Sequence, residues 1–113
     1  MYNCKNPKTA QKFLIQGDTA AKRVDRLPPH AVKCGDNIIA LGEATGHNHV
    51  LENAEKYTTS DGTMWAVVGD VAAKYLHQQH QAWILPPQTI WQFGENGILQ
   101  REYCGEEERK VLD

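Results

Sequence analysis

The chain has 113 residues, 41% hydrophobic and 23% charged, with a formal net charge of −2. That length makes one domain able to bury a core without staples. The charges are interspersed, so the basic footprint of a nucleic-acid binder is missing and duplex binding is not expected.

Residues 1–11 are polar and read as a flexible N-terminus. Met1-Tyr2-Asn3-Cys4-Lys5 has no hydrophobic signal-peptide core. No apolar run approaches the ~18 residues of a membrane span, so no membrane association is expected. Lys12-Phe13-Leu14-Ile15-Gln16 reads as a first strand, closed by the turn signal Gly17-Asp18. Residues 19–26 suggest a helical turn or irregular chain. Leu27-Pro28-Pro29 blocks any helix across it. Residues 30–33 and 37–41 read as strands around the turn residues Cys34-Gly35-Asp36-Asn37.

Residues 42–46 interrupt the strand and 47–52 are extended again. The acidic segment to Tyr57 reads as its solvated end. Ser60-Asp61-Gly62 is a turn. Met64-Trp65-Ala66-Val67-Val68 is apolar without alternation, a strand with both faces covered. Residues 71–77 lean to strand, and Ala82-Trp83-Ile84-Leu85 ends at Pro86-Pro87. Residues 89–93 and 98–103 flank Gly94-Glu95-Asn96-Gly97 as a hairpin, with Trp91 and Phe93 on the face of Leu99 and Tyr103. Residues 105–113 form a charged tail. Short strands at roughly 8–12 residue spacing predict one all-β domain over residues 12–104. Its form is a small barrel or sandwich of about seven to eight strands.

The three cysteines, Cys4, Cys34 and Cys104, form no CxxC pair. They read as free thiols of a reduced, cytoplasmic protein; a Cys4–Cys104 bridge is the alternative. Cys34 as a nucleophile would need His30 within reach. An incidental thiol is the simpler reading.

The densest site-type chemistry is Gly42-Glu43-Ala44-Thr45-Gly46-His47-Asn48-His49. On a strand, His47 and His49 share one face. With His77 and His80 they make two histidine pairs; imidazole suits Zn, Cu, Fe and Ni, and the expected divalent metal is Zn, Ni, Mn or Fe. The expected site is a divalent metal or small-molecule site lined by His47, His49, His77 and His80, with Glu43 as base. The alternative is that these histidines are structural. On a pure strand His77 and His80 point apart, so both join only if a turn lies between them. The glycines let the loop approach a ligand, or simply mark a β-bulge. Arg101 and Glu102 sit on opposite faces of the last strand. Trp65, Trp83 and Trp91 read as core or interface.

Gly42, His47, His49 and Glu52 resemble the first motif of the cupins, which implies a metal at His47 and His49. The spacings depart, and no histidine follows Pro86-Pro87. A wider resemblance runs through Ile15-Gln16-Gly17-Asp18, Gly42 to His49, His77-Gln78-Gln79-His80 with Leu85-Pro86-Pro87, and Gln100-Arg101-Glu102-Tyr103. It is to an uncharacterised family of small bacterial and phage proteins, and implies that residues 12–113 are one unit. His47-Asn48-His49 spells HNH, but that nuclease motif is spread over a ββα unit. The His-x-His-x-His of histidine-triad hydrolases fails at Leu51, and no deaminase, GxGxxG or Walker A pattern is present. The competing class is a non-catalytic β module. It would dock on a protein partner or form a homo-oligomer through strands around Trp83 or Trp91.

Overall fold

Alternating inward and outward side chains organise the described residues into eleven strands. The computed structural model describes residues 7–17, 19–39, 49–78 and 80–95, and contains no helix among them. The strands are β1 (Lys8–Thr9), β2 (Phe13–Gln16), β3 (Thr19–Val24), β4 (Val32–Lys33), β5 (Ile38–Ile39) and β6 (His49–Glu52). They continue as β7 (Ala54–Thr58), β8 (Met64–Val68), β9 (Ala73–Leu76), β10 (Trp83–Leu85) and β11 (Ile90–Glu95). One sheet has the order β1-β10-β9-β6-β5 and the other β2-β3-β11-β8-β7-β4. Every pairing is antiparallel except β1 with β10.

The expected all-β, sandwich-like domain is what forms. It has more strands than seven or eight because β1, β4 and β5 are two residues each. Three stretches differ from the sequence reading. Residues 19–24 form a strand, although Ala20, Ala21, Lys22 and Arg23 favour helix. Two-sided pairing with β2 and β11 overrides that propensity. The acidic stretch after Glu52 is β7, not a solvated end. Asn53, at φ 70°, re-aims the chain from one sheet into the other. Residues 8–10 were read as loose, yet Lys8–Thr9 pair with β10 and Ala10 is in the core. The second arm of the 98–103 hairpin, with Leu99 and Tyr103, lies outside the described residues. In β8 burial alternates instead of covering both faces: Ala66 and Val68 are buried and Val67 only half.

The core is assembled by size complementarity. Trp91 sits beside Ala66 across the β11–β8 pair, and Phe93 beside Ala21 across the β11–β3 pair. All four are buried. A small neighbour gives each ring its room, and the Trp91 indole N–H donates to Thr89 Oγ1 at 2.8 Å. Hydrogen bonds also tie the sheets. Lys56 on β7 reaches Asp36 Oδ1 and the carbonyl of Ile38, both at 2.7 Å. In the β7–β8 turn Asp61 accepts from Thr59 Oγ1 at 2.6 Å and from the Thr63 amide at 3.1 Å. No helix among the described residues is long and apolar enough to cross a membrane.

Trp91→Ala should cost about 3–5 kcal/mol and Ala66→Leu about 1–3 kcal/mol in urea unfolding, the first by a cavity and the second by overpacking. Hydrogen bonding to Lys56 holds the Asp36 carboxyl below its ordinary value, and bonding to Thr59 does the same for Asp61. A depressed folded pKa contributes stability that is complete above the unfolded value, about 3.9, and is lost as pH falls through the folded one. Asp61→Asn should therefore flatten the acid limb of the stability curve below about pH 4 while leaving its shape at neutral pH unchanged.

Candidate functional site

Strands β6 and β9 run antiparallel, with Leu51 opposite Tyr75 and Val50 opposite Leu76. One step further along this register, His49 falls opposite His77. Inward positions alternate, so one line of the inner face reads Ala73, Tyr75, His77 and the next reads Leu51, His49. The face passes from apolar to polar toward one end of the sheet. His49 is 5% exposed and His77 4%. Their ring centroids are 4.4 Å apart with planes inclined by 45°. The chain then bends at Gln78, and exposed His80 returns against His77 at 4.6 Å and 43°. Tyr75 stacks on the other side of His49 at 5.5 Å and 17°. The result is a row of three imidazoles running from the core to the surface.

Gln16 sets the inner end of the row. It is 1% exposed, at the end of β2. Its Nε2 donates to the carbonyls of Tyr75 at 3.0 Å and Gln81 at 2.9 Å. Both amide hydrogens are thereby used on acceptors, so Oε1 must be the atom facing His49 Nδ1 at 2.8 Å. An amide oxygen only accepts, so Nδ1 carries the hydrogen. Neutral His49 then carries its lone pair on Nε2. Behind it, Thr19 Oγ1 donates to the Gln16 carbonyl at 2.9 Å and accepts from the Tyr75 hydroxyl at 2.8 Å. The buried polar groups thus form a connected network.

Gly17 serves the outer end. Its φ of +63° starts the two-residue β2–β3 turn, and a side chain there would come within 2.7 Å of His80 Nε2. Beside this turn lies an open cleft of about 380 Å³, bordered by Gln16, Gly17, His80, Gln81, Trp83 and Lys8. The Trp83 indole donates to the Ile15 carbonyl at 2.9 Å, and the Lys8 amine stands 5.6 Å above its ring.

Of the histidines singled out in the sequence, the fold brings together His49, His77 and His80. His47 and Glu43 lie outside the described residues. The chain bends at Gln78, and the His77 and His80 rings meet. Among the described residues, no group of three or more His, Cys, Asp or Glu side chains is arranged to hold a metal ion. Cys34 is a free thiol near Thr58 Oγ1, at 3.6 Å, beside the β4 edge. Trp91 is in the core and so cannot be a docking surface. Sequence reasoning missed Gln16, Thr19 and Tyr75. One signal was there: Gln16 is in phase with Leu14, which puts an amide on a core-facing position.

A family model for a domain of unknown function, DUF8820, matches residues 15–92. The chain belongs to the DUF8820 family. No curated protein and no solved structure matches it. The DUF8820 region takes in Gln16, His49, Tyr75, His77 and His80, whereas Lys8 precedes it.

Neutral His49 should appear in long-range proton–nitrogen NMR spectra with Nδ1 protonated and Nε2 bare; the opposite pattern would show that Gln16 does not orient it. Gln16→Leu strands two buried carbonyls and one ring N–H, and should cost about 3 kcal/mol or more in urea unfolding.

Proposed function

We propose that this DUF8820 domain binds a small molecule in the cleft beside the β2–β3 turn, where His80, the outer ring of the histidine row, lines the cleft and contacts the buried rings behind it. The observation that carries this reading is the mutual contact of His49, His77 and His80, with the innermost ring oriented by Gln16. Imidazole can donate or accept a proton, so such a row has the groups that acid–base exchange with a ligand would need. Orientation by a buried amide fixes where the His49 lone pair points. That is an expensive arrangement to keep for packing alone.

A divalent metal, Zn, Ni, Mn or Fe, would be a second form of the same site, since imidazole is a common ligand for these ions. The described side chains are not grouped to hold one. A metal would need a further ligand such as His47 or Glu43, with Glu43 alternatively acting as base. The rival reading, a docking module or homo-oligomer, has less support. Its core tryptophan is unavailable, and the exposed large hydrophobics among the described residues, Ile15, Val32 and Val71, lie on separate segments. We infer a bacterial or phage protein of the reduced cytoplasm, supported by the motif resemblance and the free Cys34 thiol.

The test uses untagged protein. A fragment library screened by NMR should yield binders whose shifts cluster on His80, Gln81 and Trp83, and His80→Ala should weaken them. Melting temperature should be insensitive to Zn, Ni, Mn and Fe. A metal-dependent rise that His49→Ala removes would replace the small-molecule form with the metal form. Fragments that bind only elsewhere would overturn both.

A further inference from the structure

The charge of the cleft is at odds with that of the chain. The sequence carries 14 acidic residues against 12 lysines and arginines. Yet no Asp or Glu lines the cleft among the described residues, while Lys8 and His80 do. The remaining border is an aromatic ring and aliphatic or amide groups, with Phe13, Ile15 and Trp83 on the apolar side and Gln81 on the polar side.

The Lys8 charge is held there by the fold. Lys8 lies opposite Trp83 in the parallel β1–β10 pair, and the Lys8 amide donates to the Ala82 carbonyl at 3.1 Å. Its amine stands over the Trp83 ring, a favourable cation–aromatic contact. Trp83 is itself pinned by its bond to Ile15 across to β2. His80 also borders the cleft, and Gly17 leaves room for it. Two basic groups therefore flank an apolar wall in a cleft of about 380 Å³, within the size range of small-ligand sites.

We propose that the ligand of this cleft is a small organic anion, a carboxylate or phosphate ester with a flat apolar body. Its charge meets Lys8 and His80, and its body lies along Trp83 and Ile15. This rests on the small-molecule reading above and adds the ligand class. A cation is disfavoured by the Lys8 amine, and a neutral molecule offers that amine no counter-charge.

Four probes of similar shape separate the two levels: indole-3-acetate, phenyl phosphate, neutral indole-3-acetamide and cationic tryptamine, each titrated into the full chain by NMR. Indole-3-acetate and phenyl phosphate should shift the Lys8, His80 and Trp83 indole signals, and bind roughly tenfold or more tightly than the other two, as expected for a charge-assisted contact. Binding should weaken severalfold between about 50 mM and about 500 mM salt, as for charges near a protein surface. Lys8→Met keeps the aliphatic stem at an exposed position and should remove most of the preference; Lys8→Arg should restore it. Equal binding of the neutral or cationic probe would overturn the anion assignment and leave the small-molecule reading standing. If none of the four moves any of these signals, both fall.

Discussion

One side-chain amide, that of Gln16, carries more of this architecture than its size suggests. Gln16 sits on β2, which among the described strands lies at the edge of its sheet and pairs with β3. Its three side-chain partners all belong to the other sheet or its connections: the Tyr75 carbonyl on β9, the Gln81 carbonyl before β10 and His49 on β6. A buried amide with a missing partner costs several kcal/mol at the upper end of measured values. Each partner must therefore be in position for the sheets to close, and the tie selects one register of the edge strand over its alternatives.

The polar network is backed by apolar packing. Phe93 from β11 meets Tyr75 at 4.8 Å, and Tyr75 in turn stacks on His49. The Tyr75 hydroxyl returns through Thr19 to the backbone of Gln16. A closed circuit results: core ring, tyrosine, histidine, glutamine and threonine. Displacing any member moves the next, because interiors are packed too densely to absorb a shift. The alanines that make room for Trp91 and Phe93 thereby help hold an imidazole at the far end of the sandwich.

The proposed function rests on where this rigidity stops. His49 and His77 are buried, His80 is exposed, and the cleft opens beside it. Chemistry that begins at a surface ligand can reach an interior ring through contacting groups. A site on fixed strands and one tight turn is also more exactly positioned than one on mobile loops. Lys8 and Trp83 belong to the same construction, since their parallel pairing sets the outer wall.

The sequence by itself determined the fold class, most strands and the principal turns, and it singled out the histidines, three of which the fold brings together. These are local properties: β-rich runs, glycine and proline punctuation, and residue chemistry at i, i+2 spacing. It misjudged residues 19–24 and 54–58, where alanine, lysine and glutamate disguise strands that exist because neighbours pair with them. Only the tertiary structure decided that His49 falls opposite His77, that His80 returns beside them, and that Gln16 fixes the first ring. The reason is physical. Register between β6 and β9, and contact between β2 and the opposing sheet, join residues 16, 49 and 77 through long-range pairing, which no local pattern encodes.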